Sequence, residues 1–243
     1  MSAGLFICDM SQTEEPQIPA EDLDAQTRRL DPERWLSSRF VADAEARADV
    51  IAIYAFDHEL ARAPKVASNS LMGEIRLTWW REVLDEVYEG RAVRHHPTAL
   101  ALARAIDRRN LPRAPLEAMI EARYRELDPA PMNLADALQW AAGSGGGAAV
   151  SAAYVLEPAP DVARAEKGGK AWAIGRLMGT AGLTGDDAQA ALQAALSAAG
   201  GLSVASFPAI AHATLARPRA KGRRPSELEM RLRLFLAVAR GRV

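Results

Sequence analysis

Residues 47–90 read RADVIAIYAFDHELARAPKVASNSLMGEIRLTWWREVLDEVYEG, and this stretch decides the fold. It contains two segments with apolar residues at helical spacing, separated by a polar link in which Pro64 cannot continue a helix. The first segment carries the row Val50, Ile53, Phe56 and Leu60. The second carries two rows: Met72, Ile75, Trp79 and Val83, and then Leu77, Trp80, Leu84 and Val87. A helix that is apolar around most of its girth is buried among other helices. The stretch therefore predicts a central helix pair in an all-α, single-domain protein.

The composition is that of a globular protein and argues against several other classes of protein. The 243 residues suffice for one large core, and 49% hydrophobic and 25% charged residues are ordinary values for a globular domain. A formal net charge of -1 gives no support for a nucleic-acid partner. Cys8 is the only cysteine, which excludes a disulfide within the chain. The many alanine and arginine residues indicate a GC-rich bacterial genome.

Residues 1–20 are predicted to be a flexible tail, and residues 21–243 to be the helical domain. The tail is acidic and lacks the basic start of a targeting peptide. No run approaches the roughly 18 apolar residues that a membrane span requires, so we expect a cytoplasmic protein.

The periodicity outside the central stretch predicts further helices. Their approximate ranges are 22–30, 33–40, 97–110, 115–128, 133–142, 148–156, 161–181, 186–199 and 202–215. The last helix starts after Ser226, with Glu229 at the spacing of a capping box. We expect it to dock on the bundle through Leu228, Leu232, Phe235, Leu236 and Ala239.

Two groups of residues in the central stretch carry a family resemblance. They are ADVIAIYAF at 48–56 and I-R-L-x-W-W-R-x-x-L-D-x-x-Y-x-G at 75–90. This pattern resembles the squalene/phytoene synthase family, whose members join two prenyl diphosphates head to head inside a helical bundle. Those enzymes hold magnesium with two aspartate-rich motifs. The resemblance implies a terpenoid-synthase-type bundle, and it implies that the glycine-rich run 143–147 is a kink where two helices pack closely.

The aspartate positions of the family are not occupied by carboxylates in this chain. Magnesium prefers carboxylate oxygens, which the family supplies one helical turn apart on each of two facing helices. The resemblance places the first pair at Ala61 and Lys65 and the second at Leu177 and Ala181. We therefore predict neither a cofactor nor a metal site. The same erosion marks a branch of the superfamily that includes a mitochondrial assembly factor of respiratory complex I.

Two functions follow from these observations and stay open. The first is a non-catalytic protein that binds a client protein or a prenyl- or quinone-like lipid in respiratory complex assembly. The second is an active head-to-head prenyl transferase with magnesium at an atypical site, built from Asp57, Glu59 or Asp85. No catalytic residue is assigned, and the candidate cavity or ligand residues are Tyr54, Asp57, Glu59, Arg76, Trp80 and Arg176.

Arg76 and the basic segment near the C-terminus each leave an alternative open. An Arg76–Glu59 pair would be structural, whereas an unpaired Arg76 facing a cavity would indicate a ligand. The basic segment either is a solvated connection or touches an anionic inner membrane as a peripheral contact. Its cations are Arg217, Arg219, Lys221, Arg223 and Arg224.

Overall fold

The computed structural model describes residues 20–65, 70–180 and 183–243, with side chains from Leu23 onward, and these ranges contain helices and no strand. The predicted tail, apart from Ala20, and Cys8 lie outside them. The α-helices are α1 (Ala20–Leu30), α2 (Pro32–Ser38), α3 (Ala44–Arg62), α4 (Ser70–Tyr88), α5 (Pro97–Arg109), α6 (Arg113–Tyr124), α7 (Leu134–Ala141), α8 (Gly147–Leu156), α9 (Val162–Thr180), α10 (Asp186–Ala198), α11 (Ala216–Ala220) and α12 (Glu227–Arg240). The predicted all-α class is confirmed.

Helix α3 lies at the centre of the bundle, as the sequence predicts. Its N-cap is Asp43, whose carboxylate accepts a 2.6 Å hydrogen bond from the amide of Ala46. The predicted row is fully buried and packs against α1, α5 and α8; its members are Val50, Ile53, Phe56 and Leu60.

Helix α4 does not lie at the centre of the bundle, so the prediction of a central helix pair is correct for α3 and wrong for α4. Met72 and Ile75 are 39% and 52% exposed, and α4 packs mainly against α6. The row that contains Leu77 and Trp80 is buried, and the Trp80 ring meets the Phe56 ring of α3 edge to face at 5.3 Å. Burial of this second row holds the helix, so the N-terminal part of the first row, Met72 and Ile75, lies at the surface, whereas Val83 at its other end is buried.

The glycine-rich run forms a π-helical turn, Ala142–Gly146, that packs closely against α9. A Cβ atom on Gly145 would lie 2.5 Å from the carbonyl oxygen of Gly169, and a Cβ on Gly169 would overlap the Gly145 backbone. Neither position accepts a larger side chain without moving the helices apart. The expected close packing of two helices is therefore confirmed.

The predicted helix over 202–215 is wrong. The segment forms two 3₁₀ turns, Phe207–Ala209 and Ala211–Leu215, and then continues into α11. Pro208 has no amide hydrogen to donate, and its carbonyl accepts a 2.7 Å hydrogen bond from the Ser37 hydroxyl of α2. The apolar content predicted burial correctly, but these tertiary contacts replace a continuous helix.

Helix α12 docks on the bundle through the face opposite to the predicted one. Met230, Leu234 and Ala237 are buried against α2 and the 3₁₀ turn Ala211–Leu215. The residues expected to dock point to solvent, and they are Leu228, Leu232, Phe235, Leu236 and Ala239. Both faces of α12 are apolar, so the periodicity alone does not identify the buried one.

Candidate functional site

Three of the four positions at which the resemblance places metal ligands meet at one cavity of about 570 Å³. Ala61 lies at the end of α3, Lys65 follows that helix, and Leu177 lies on α9. The fourth position, Ala181, is outside the described residues. A methyl group, an ammonium group and an alkyl side chain supply no oxygen ligand. These residues do not fit a magnesium ion.

The polar wall of this cavity carries more positive than negative side chains. The basic residues are Arg34, Arg62, Lys65, Arg123, Arg125 and Arg176, and the acidic residues are Asp31, Asp57, Glu126 and Asp128. Apolar and aromatic side chains complete the lining, including Leu30, Met132, Trp140 and Trp172. We refer to this space as the arginine-lined cavity. Its chemistry favours a ligand that combines an anionic group with an apolar body.

Asp57 is the most constrained carboxylate in the arginine-lined cavity. One of its oxygens accepts a 2.7 Å hydrogen bond from Arg123, and the other lies 2.8 Å from a guanidinium nitrogen of Arg34. Burial alone would raise the pKa of Asp57, but the two arginines lower the pKa to about 2. Both oxygens are therefore engaged in ion pairs, and Asp57 is charged at neutral pH.

Arg34 is held between two aromatic rings inside the bundle. Its guanidinium carbon lies 4.9 Å from the ring centroid of Tyr54 and 4.5 Å from that of Trp172. Its Nε lies 2.5 Å from Asp31, and one terminal nitrogen has no hydrogen-bond partner among the described residues. The Tyr54 hydroxyl is likewise unpartnered, and burial raises the pKa of this group. Tyr54, a predicted site residue, thus reaches the cavity only through Arg34.

Arg123 and Arg176 complete the cation set from two other helices. Arg123 lies on α6, is buried, and also lies 2.5 Å from Glu126. Arg176 lies on α9, is half exposed, and stacks on Trp172 at 4.7 Å. It also lies 3.9 Å from Asp31. Arg176 was predicted as a site residue, whereas Arg34 and Arg123 were missed.

His212 is buried behind this cation set. Its ring meets the rings of Trp172 and Tyr54 edge to face at 5.2 and 6.2 Å, respectively. Burial, reinforced by the nearby Arg34, lowers the pKa of His212 to about 3. The imidazole is therefore neutral at physiological pH.

Three other predicted site residues lie at a second cavity, of about 420 Å³. Glu59, Arg76 and Trp80 line it together with Trp79 and His96, and we refer to it as the tryptophan cavity. Its further lining residue Arg62 also lines the arginine-lined cavity, so the two spaces are neighbours. Of the six predicted candidate residues, Asp57 and Arg176 thus line the arginine-lined cavity, three line the tryptophan cavity, and Tyr54 lines neither.

The Arg76–Glu59 pair that would have been structural is not formed. Glu59 instead accepts two 3.0 Å hydrogen bonds from Arg62, its neighbour on α3. Arg76 has no ion-pair partner among the residues that the structure describes, and it faces the tryptophan cavity. The structural alternative for Arg76 is therefore not realised, and a ligand at this cavity stays a prediction.

The three carboxylates considered for an atypical metal site do not converge on one point. Asp57 pairs with Arg34 and Arg123, Glu59 pairs with Arg62, and Asp85 pairs with Arg113 at 2.5 Å. Across the described ranges, no group of three His, Cys, Asp or Glu side chains is arranged to hold a metal ion.

The fold and the cavity together define a terpenoid-synthase-type bundle in which the metal-ligand positions at the described residues lack carboxylates. The sequence profile of the family described as squalene/phytoene synthase matches residues 27–181, which is more than half of the chain. The protein therefore belongs to the squalene/phytoene synthase family.

Two curated relatives carry the name NADH dehydrogenase (ubiquinone) complex I, assembly factor 6. The chain is 33% identical to the Bos taurus protein and 32% identical to the Homo sapiens protein, in each case over 101 residues. Each match covers 42% of this chain and 30% of the relative. The matched region thus spans less than a third of those relatives' length.

Solved structures of a dehydrosqualene synthase and a squalene synthase share the fold. A dehydrosqualene synthase in complex with a ligand aligns with a TM-score of 0.72 and 14% identity, covering 91% of this chain and 95% of that chain. The squalene synthase HpnC from Alicyclobacillus acidocaldarius aligns with a TM-score of 0.58 and 17% identity, covering 91% and 94%. At these identities the similarity shows the fold alone.

Within the described residues, no helix is both long enough and apolar enough to cross a membrane.

Proposed function

We propose that this protein is a non-catalytic member of its family that acts in respiratory complex assembly by binding a client protein or an isoprenoid-type lipid. The observation that carries the proposal is the replacement of metal ligands by Ala61, Lys65 and Leu177 at a cavity that is still open. The names of the relatives support an assembly role, since they belong to assembly factors of complex I.

The lining of the arginine-lined cavity supports a lipid with an anionic or strongly polar end. Departure of a diphosphate in an apolar site needs metal ions to neutralise the developing charge. Here the arginines supply positive charge without the metal, which suits binding of a polar group better than its ionisation and departure. The apolar lining around Trp140, Trp172 and Leu177 would accommodate the hydrocarbon part.

The proposal also places the protein in a bacterial cytoplasm, peripheral to the inner membrane. The basic segment that contains Arg217, Lys221 and Arg224 supports this location, because an anionic leaflet attracts such charges. Arg219 is engaged elsewhere, since it pairs with the buried Glu33 of α2.

A complementation experiment tests the assembly role. The gene is deleted in the organism that encodes it, and the amount and NADH-oxidising activity of respiratory complex I in the membranes are measured. We expect both to fall and to be restored by the wild-type gene. We also expect Glu59→Gln to restore them, because no metal chemistry depends on that carboxylate.

A variant that fills the cavity tests whether the cavity is used. Ala61→Phe places a ring in the arginine-lined cavity, and Ala190→Phe on the exposed side of α10 is the matched control. We expect the first variant to fail in complementation while remaining folded and the second to succeed. Unchanged complex I in the deletion strain would contradict the assembly role.

A further inference from the structure

The outer side of α12 carries an apolar row that the bundle does not cover. Leu228 and Phe235 are 78% and 60% exposed, and Leu232 and Leu236 are also exposed. Spacings of four and three residues place Leu228, Leu232 and Phe235 along one side of the helix. The opposite side already packs on the core through Met230 and Leu234. A contiguous exposed apolar row of this kind marks an interaction site.

The segment around this row is strongly basic, although the whole chain is nearly neutral. Residues 217–243 contain nine Arg or Lys side chains and two Glu side chains, whereas residues 1–216 contain 21 basic and 29 acidic side chains. A separation of charge on this scale gives the end of the molecule that carries α12 a positive potential.

Both acidic side chains of the segment are neutralised locally. Glu227 pairs with Arg231 at 2.5 Å, and Glu229 pairs with Arg223 and Arg233 at 2.7 and 2.8 Å. Besides Arg217, whose guanidinium donates a hydrogen bond to Gln193, four exposed cations of this segment have no ion-pair partner among the described residues, and they are Lys221, Arg224, Arg240 and Arg242. These charges flank the apolar row at both ends of α12.

We propose that α12 docks on an anionic lipid surface, with Leu228, Leu232, Phe235 and Leu236 inserted among the lipids. The flanking Lys221, Arg224, Arg240 and Arg242 contact the negatively charged headgroups. An apolar row bordered by arginine and lysine is the pattern of helices that lie in a membrane interface. An acidic protein partner would match the charges equally, but it would not require a row of large side chains with no polar residue among them. This inference goes beyond the cavity function and does not depend on it.

Vesicle flotation with the full chain tests the docking. Vesicles of phosphatidylcholine with and without phosphatidylglycerol are compared at low and high salt. We expect the wild type to bind the anionic vesicles, to bind pure phosphatidylcholine at least tenfold more weakly, and to be released by salt. We expect Leu232→Ser/Phe235→Ser to weaken binding to anionic vesicles at least tenfold, which corresponds to about 1.4 kcal/mol.

Matched variants distinguish binding through the apolar row of α12 from binding through exposed apolar side chains in general. Leu71→Ser/Val204→Ser removes two apolar side chains that are also strongly exposed, at 61% and 90%, and it should bind like the wild type. Arg224→Ser/Arg242→Ser should weaken binding and reduce its dependence on salt. Circular dichroism melting confirms that each variant is folded.

Three results would overturn the inference. The first is absence of wild-type binding to anionic vesicles, and the second is undiminished binding by folded Leu232→Ser/Phe235→Ser. The third is a concentration-dependent dimer in sedimentation that the same double variant dissociates, because the row would then be an interface between copies of this chain.

Discussion

The Asp57 carboxylate of α3 and the Arg123 guanidinium of α6 form a 2.7 Å ion pair in the interior, between residues 66 positions apart in sequence. Arg34 of α2 binds the other oxygen of the same carboxylate. Three helices are thus joined at one buried charge. Asp57, one of the three carboxylates considered for an atypical metal site, is therefore neutralised by arginines and is part of the scaffold.

Replacement of Asp57 is expected to destabilise the fold strongly. In Asp57→Asn the two buried guanidinium groups lose their shared counter-charge, and such a loss typically costs about 3–5 kcal/mol. We expect about 3 kcal/mol, because Asp31 and Glu126 still face Arg34 and Arg123. Urea titration measures the free energy of unfolding.

The control for this variant is Asp85→Asn. Asp85 pairs with Arg113 at the surface of α4, where an ion pair contributes about 0–1 kcal/mol. An Asp57→Asn protein as stable as Asp85→Asn would show that the buried network contributes no stability.

Lowering the pH also tests this ion pair. The folded pKa of Asp57 is about 2, which is below the unfolded pKa near 4. The contribution of Asp57 to the free energy of unfolding is therefore complete above about pH 4 and is lost as the pH falls through 2.

Magnesium is expected to leave the melting temperature of the wild type unchanged. A ligand at a hundred times its dissociation constant stabilises the folded state by about 2.7 kcal/mol, so tight binding would be visible. The double variant Ala61→Asp/Lys65→Asp introduces two carboxylates at the arginine-lined cavity, and we expect magnesium to raise its melting temperature. Thermal denaturation with and without millimolar magnesium and a prenyl diphosphate analogue measures both. A clear magnesium-dependent rise in the wild type would contradict the loss of the metal site.

The protein is expected to lose stability as pH falls from about 6.5 towards 3, with His212 as a main cause. The unfolded chain binds a proton at His212 below about pH 6.5, whereas the folded chain does so only near pH 3, so unfolding takes up a proton in this window. The loss is about 1.36 kcal/mol per pH unit for each such group. Burial also lowers the pKa values of His58 and His96, which act in the same direction.

The variant His212→Phe isolates the contribution of His212 and keeps an aromatic ring beside Trp172. Between pH 6.5 and 5, we expect the free energy of unfolding to fall by about 2 kcal/mol less in the variant than in the wild type. Urea titrations at several pH values measure this difference. Equal slopes for the two proteins would mean that His212 titrates normally in the fold.

The sequence predicts the all-α class and the position of α3, since a row such as Ile53, Phe56 and Leu60 at helical spacing indicates a helix with a buried face. It does not identify the docked face of α12, because Leu228–Leu232 and Met230–Leu234 are equally apolar. That choice depends on which row matches the surface of α2 and the neighbouring 3₁₀ turn, and no local pattern contains this information.

Only part of the candidate site could be predicted, because contacts between residues distant in sequence are not contained in a local pattern. The positions Ala61, Lys65 and Leu177 meet at one cavity, as the family resemblance implies. Arg34 and Arg123 were missed because their partner Asp57 is distant in sequence. A signal was available: Asp57 directly follows the buried Phe56 and lies one residue off the apolar row of α3, and a buried carboxylate needs a cation nearby.

The final prediction concerns prenyl coupling itself. Offered farnesyl or geranylgeranyl diphosphate with magnesium, the wild type is expected to give no condensed product and no diphosphate above background. Ionisation of the allylic substrate needs several kcal/mol of charge stabilisation from metal ions, and each 1.36 kcal/mol lost lowers the rate tenfold. Radiolabelled substrate, extraction and chromatography provide the measurement. A squalene-like or phytoene-like product that Glu59→Gln abolishes would establish a relocated catalytic site and refute the non-catalytic function. Glu59 is the informative position for this control, because its ion pair with Arg62 is partly exposed and its removal leaves the buried Asp57 network intact.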